Sequence, residues 1–116
     1  MTEPLYKICT STAFAAAEAK GRFEGSADDA RDGFIHLSAS HQVQGTLAAH
    51  FRGQRDLVLI AVDPDALGEN LRWEPSRGGA LFPHLYGPLD LTAVLSVLPL
   101  KLAEDGTHRL PFEVRA

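Results

Sequence analysis

Two short stretches carry the residues best suited to chemistry. In Gly33-Phe34-Ile35-His36-Leu37-Ser38, strand alternation turns Phe34, His36 and Ser38 to one face and Ile35 and Leu37 to the other. A histidine with a hydroxyl two residues on can hold a hydroxylated ligand such as a ribose. The structural alternative is a half-buried histidine bonded to backbone, with Ser38 serving only as a helix cap. In Phe82-Pro83-His84-Leu85-Tyr86-Gly87-Pro88, rigid backbone at both ends holds His84 and Tyr86 on the same side of a short extended segment. A turn in which the two rings merely pack and hydrogen-bond locally is the competing reading. Glu74 is the third candidate: in Leu71-Arg72-Trp73-Glu74 it shares a face with Arg72 and precedes a Gly-rich loop. Such a carboxylate can act as a general base or stabilise positive charge developing on a sugar ring. Most exposed glutamates instead pair with a neighbouring cation, here Arg72 or Arg77.

Other chemistries find less support. Five histidines invite a metal reading, but none forms a His-Glu-x-x-His helix motif, and a single cysteine excludes thiolate zinc spacings, so no metal is expected. Cys9 sits in an apolar strand pattern and reads as a small buried hydrophobe. Gly78-Gly79 is too short for a dinucleotide-type phosphate loop and opens no helix.

The elements that must position these residues follow from periodicity and caps. Leu5 to Cys9 predicts a first strand. Thr10 or Ser11 caps a helix through Ala13 to Ala19 that Gly21 ends. Gly25 to Asp29 reads as a polar loop and Gly33 to Ser38 as a strand. A second helix, capped by Ser38 or Ser40, carries Val43, Leu47 and Phe51 as its apolar stripe and closes at Arg52-Gly53. Leu57 to Val62 is an unbroken apolar run, the pattern of a central strand covered on both faces. Leu71 to Glu74 and His84 to Tyr86 extend. Thr92 to Leu102 supplies a long late strand that Pro99 confines in part to an edge or bulge, and Leu110 to Val114 predicts a last edge strand. Strands outnumber helices without clean alternation. The expectation is α+β: a compact, mixed, mostly antiparallel β structure with about two helices.

Length and composition fit one domain, 1–116, with 45% hydrophobic and 22% charged residues, enough for a core that needs no disulfide or metal staple. The N-terminus has no basic stretch followed by an apolar run, and no segment approaches a membrane span of roughly 20 residues. A lone cysteine fits a reducing compartment. The sequence therefore reads as a soluble, cytoplasmic protein with no membrane partner. Its net charge of -4 argues against nucleic acid as a partner.

Three segments together are family-specific: Asp32 to Ser38, the Leu57 to Asp63 strand with Arg72-Trp73-Glu74, and Phe82 to Pro88. They resemble the small bacterial proteins of the family catalogued as domain of unknown function 952, over nearly the whole chain from about Tyr6 to Leu100. Some members carry a glutathione-transferase label, but this chain is too short for that fold and lacks its thioredoxin-like half. The resemblance implies similarity to the ADP-ribosyltransferase fold, with a cleft for NAD or a related nucleotide. That class often has His-Gly-Ser or His-Gly-Thr on an early strand, contacting a ribose. Here His36 and Ser38 match and Leu37 replaces the glycine. The class also uses a late-strand glutamate, for which Glu74 and Glu113 are the candidates, Glu74 having the better neighbours. The resemblance thus implies a ribose-containing or NAD-like small molecule held by His36 and Ser38. Arg72, His84 and Tyr86 would complete the binding site, with Glu74, alongside His36, in the catalytic role. The rival is a non-catalytic ligand sensor or interaction module that kept the cleft without the chemistry.

Overall fold

A computed structural model describes residues 3–111, apart from the side chain of Arg77. In chain order its strands and α-helices are β1 (Leu5–Thr10), α1 (Ser11–Lys20), β2 (Arg22–Phe23), α2 (Ala27–Asp32), β3 (Ile35–His36), β4 (Ser38–Ala39), α3 (Val43–His50), β5 (Leu57–Val62), β6 (Leu71–Pro75), β7 (Leu81–Leu85), β8 (Leu89–Asp90), β9 (Val94–Leu102) and β10 (His108–Arg109). Every strand pair is antiparallel. A five-stranded sheet runs β10-β9-β5-β1-β4, a three-stranded sheet runs β3-β7-β6, and β2 pairs with β8. The architecture is α+β. None of the described helices is long and apolar enough to cross a membrane.

The run Leu57 to Val62 is β5, with β1 on one side and β9 on the other and all six residues buried. Its two faces feed two cores. Val58, Ile60 and Val62 join Leu5 and Cys9 of β1 against Phe14 and Ala17 of α1, Phe23, Ile35, Leu85 and Leu89. Leu57, Leu59 and Ala61 join Tyr6 and Ile8 against Val43 and Leu47 of α3. A sheet buried on both faces explains why the run is continuous and not alternating. The α1 caps work as their residue types demand. Thr10 Oγ1 accepts the Ala13 N–H, and Gly21, at φ 82°, sends its N–H to the Ala17 and Glu18 carbonyls.

Four expectations need correction. Residues 25–29, read as a polar loop, contain the start of α2, so the helices number three among the described residues. The Ser26 N–H donates to Asp29 Oδ2 at 2.8 Å, closing the first turn from within. The strand expected over Gly33 to Ser38 breaks at Leu37, its two halves joining different sheets. Neither Ser38 nor Ser40 caps the following helix: a short 3-10 turn, Ser40–Gln42, precedes it. Gln42 accepts the Ala39 N–H and donates to the Leu81 carbonyl. Pro99 falls on an edge, as expected: it stays in register opposite Val58 with no described strand on its other side, and the irregularity of β9 lies elsewhere, opposite Ala61 and Val62, around Leu95. Finally, Leu110 and Pro111 are not in a strand, and the rest of the last expected strand lies outside the described residues. β10 covers β9 only at Lys101 and Leu102.

Leu59 is 1% exposed between two strands and a helix, whereas Leu95 is 58% exposed. Leu59→Ala should therefore cost about 2–5 kcal/mol in urea unfolding through lost burial and a residual cavity. Leu95→Ala should stay within about 0.5 kcal/mol of the parent. Equal costs at the two positions would contradict the double-faced core.

Candidate functional site

The site arises where the chain changes sheets. β4 pairs with β1 only at Ala39–Leu5 and Ser38–Tyr6. One residue earlier, Leu37 turns its N–H to the Pro83 carbonyl at 3.0 Å, and β3 continues along β7, placing His36 opposite His84. β1 and β3 thus diverge from Lys7 onward like the arms of a fork. Between the arms, with α2 on one side and α3 on the other, lies a cleft of about 290 Å³. Lys7, Asp29, Asp32, His36, Ser38, Thr46 and His84 are among the residues that border it. The volume is near the lower end of the range for small-molecule sites.

Asp29 closes the base of the fork. Its side chain is 2% exposed, and its carboxylate accepts four hydrogen bonds. Oδ2 takes the Lys7 ammonium at 2.7 Å and the Ser26 N–H. Oδ1 takes the His36 N–H at 3.0 Å and His36 Nδ1 at 2.6 Å. Burial alone would raise this carboxyl; the His36 hydrogen bond and the adjacent Lys7 ammonium outweigh it and hold the group well below the usual carboxylate range. Lys7 is itself buried and also donates to the His36 carbonyl at 3.2 Å, so one ammonium bridges both arms. The second ring nitrogen of His36, Nε2, faces Asp32 Oδ2 at 2.9 Å.

A second carboxylate–histidine couple stands one strand away. Glu74 Oε1 accepts from His84 Nδ1 at 2.8 Å and from the Tyr86 hydroxyl at 2.7 Å. The hydrogen bond from Tyr86, then that from His84, hold the Glu74 carboxyl below its ordinary value; the same Glu74 contact raises the Tyr86 phenol. Arg72 lies over the Tyr86 ring at 4.8 Å. Phe34 stacks on His84 with centroids 4.0 Å apart and tilts against His36 at 4.6 Å. Nδ1 of His84 is committed toward β6, and Nε2 has no hydrogen-bond partner among the described residues. The His84 side chain is 5% exposed and borders the cleft.

The six residues singled out in the sequence therefore fall into two groups. His36, Ser38 and His84 border the cleft; Arg72, Glu74 and Tyr86 gather behind His84 and do not border it. Ser38 is buried, with its hydroxyl 3.0 Å from Thr46 Oγ1. Glu113 lies outside the described residues. Burial pushes the Cys9 thiol up to about 11, leaving little thiolate at neutral pH. Among the described residues no group of three or more His, Cys, Asp and Glu side chains is placed to hold a metal ion. Sequence reasoning missed Lys7, Asp29, Asp32 and Thr46. Two signals were available: a lysine inside the otherwise apolar Leu-Tyr-Lys-Ile-Cys strand, and the Ser26-x-x-Asp29 spacing of a helix start.

Replacing Asp29 by Asn leaves the Lys7 ammonium buried without its counter-charge. It should cost about 3–5 kcal/mol at neutral pH, and adding Lys7→Met should recover part of the loss. Because folding depresses the Asp29 carboxyl, its stabilisation is fully present above the unfolded value near pH ~4 and is lost as the pH falls through the lower folded value. Urea unfolding at pH 7 and pH 3 should show the gap between parent and Asp29→Asn narrowing in acid. A pH-independent gap would contradict the ionised pair.

Residues 8–97 match the family model described as protein of unknown function DUF952. The crystal structure of protein CC0527 from Caulobacter crescentus is 53% identical, with a TM-score of 0.91 over 96% of this chain and 97% of that one. The solution NMR structure of CC0527 is 56% identical, with a TM-score of 0.80 over 90% of each chain. No curated protein matches the chain. The paired His36 and His84 strands and the Phe82 to Pro88 segment lie within the matched span, and the chain belongs to the DUF952 family.

Proposed function

We propose that this domain binds a small ribose-bearing molecule in the fork cleft, with His84 as the group that receives or delivers a proton if the ligand is converted. The observation that carries the reading is the orientation of His84. A carboxylate fixes Nδ1–H, a stacked phenyl ring fixes the imidazole plane, and the ring borders the cleft with Nε2 making no hydrogen bond among the described residues. Carboxylate–histidine couples of this form set the tautomer and orientation of a general base. His36 and Ser38 stand on the adjoining strands, where the similarity to the ADP-ribosyltransferase fold would place ribose contacts. An NAD-like nucleotide is the ligand that this similarity suggests.

Binding without glycosyl transfer is favoured by one observation. In the transferase reading Glu74 must touch the ribose, yet its Oε1 holds His84 and Tyr86 and the residue does not border the cleft. Glu74 is thus a positioning residue for His84. Arg72 and Tyr86 buttress the same carboxylate.

NMR titration with NAD and with adenosine should shift the His36, Ser38 and His84 resonances. Ser38→Ala and His84→Ala should each weaken binding by roughly 5–10-fold, the worth of one hydrogen bond of about 1 kcal/mol. Nicotinamide release from NAD would restore the transferase reading; binding without release supports the sensor. Silence of all three residues at millimolar ligand would sink the proposal.

A further inference from the structure

We infer that the ligand of the fork cleft carries a base with adjacent hydrogen-bond donor and acceptor atoms, and that this edge docks on the main chain of Ile8. The inference rests on the ribose-binding reading above and adds a second contact to it.

In an antiparallel ladder the N–H and C=O of successive residues turn to opposite neighbours. The Ser11 N–H donates to the Asp56 carbonyl at 2.7 Å, one step beyond the Thr10–Leu57 pair. Counting back in unbroken register, Cys9, Lys7 and Leu5 turn their main-chain groups to β5, while Ile8 and Tyr6 turn theirs the other way. Pro99 fits the same parity. It stands opposite Val58, and lacking an N–H it suits a place where Val58 bonds to Cys9 on β1. On the far side of β1, Tyr6 meets Ser38 of β4. The next rung would join Ile8 to His36, but the chain changes sheets at Leu37. His36 spends both its main-chain groups elsewhere, the N–H on Asp29 Oδ1 and the carbonyl on the Lys7 ammonium. The Ile8 N–H and C=O are left without a ladder partner among the described residues, although Ile8 is only 5% exposed.

Ile8 borders the cleft while its side chain packs in the core under α3, so its main chain is what faces the cleft. Buried main-chain groups are almost always met by protein, water or ligand. The open stretch is one rung long, because Thr10 already caps α1. It therefore suits a single amide-like edge and not an added strand. Adenine has such an edge: its amino group would donate to the Ile8 carbonyl, and the ring nitrogen beside it would accept the Ile8 N–H. Two residues of strand span about 7 Å. A base on Ile8 thus leaves its sugar near Ser38, the partner of Tyr6, as the ribose reading requires. Tyr6, Phe51 and Phe82 border the same cleft and offer apolar surface to a flat ring.

Amide hydrogen exchange on the full chain is the first test. Without ligand, Ile8 should exchange at least about tenfold faster than Lys7 and Cys9, and adenosine should slow it. In calorimetry, purine riboside, which lacks only the 6-amino group, should bind roughly fivefold more weakly than adenosine, the worth of one net hydrogen bond. Cys9, the single cysteine, directly follows Ile8, so a synthetic segment 1–8 can be ligated to 9–116 without any substitution. An ester in place of the Ile8 amide removes the N–H, and adenosine should bind this chain roughly fivefold more weakly than an all-amide chain made the same way. Ile8 as protected as its neighbours in the free chain would overturn the Ile8 contact while leaving the ribose reading intact. Equal affinity for the two ribosides, or adenosine binding unchanged by the ester, would do the same. No heat with adenosine or NAD would overturn the ribose reading itself.

Discussion

A buried carboxylate can be kept ionised only where several donors converge on it, and Asp29 collects donors from three separate elements. The Lys7 ammonium comes from β1, the His36 backbone and ring come from β3, and the Ser26 N–H comes from the entry to α2. Each would lose water on burial, and each regains a partner only if the others are in place. The fork between the sheets depends on this convergence. β1 has given up its ladder partner beyond Tyr6, and the Lys7 bond to the His36 carbonyl spans the gap that results. The cleft is therefore a by-product of a chain that changes sheets, held open by charges that cannot move apart cheaply.

Behind this pinned frame the second couple has different physics. Glu74 is a partly exposed edge residue, and His84 is almost wholly covered. The sheet β3-β7-β6 gives both their direction. Ile35, Leu85 and Leu71 form one row across it and turn to the core, so the next row, His36, His84 and Arg72, turns to the other face. Phe34 then fills the space among His36, His84 and Tyr86. Alternation does for this site what a dedicated loop does elsewhere: it fixes side chains by register, with little freedom left to lose on binding.

Much of this was legible in the sequence because it depends on local pattern. The β5 run, the Thr10 and Gly21 caps, the α3 stripe and the facing of His36, His84, Arg72 and Glu74 all follow from periodicity. What was not legible depends on long-range pairing. Leu37 looks like any strand residue, and only its bond to Pro83 reveals that the strand forks there. Asp29 looks like a loop carboxylate in a polar stretch, because its burial is decided by Lys7, twenty-two positions away in the chain. Ser38 resembles a helix cap for the same reason: Gln42 closes that turn by taking the Ala39 N–H and is itself anchored to the Leu81 carbonyl, a contact no local window contains. Glu74 suits a catalytic carboxylate by type, yet its distance from the cleft is set by the width of one strand.

The outer flank of the large sheet has a consequence for the protein in concentrated solution. Among the described residues β9 shows Leu95 and Val97 to solvent, and β10 covers only its last residues, so an apolar strand borders the sheet. Such a border is a template for a foreign chain to add itself. Pro99 removes one N–H from the row, and the irregularity around Leu95 throws the remaining groups out of even spacing. An approaching strand meets a ladder with a rung missing and another displaced. The same two features that look like flaws in a long strand keep neighbouring molecules from zipping together.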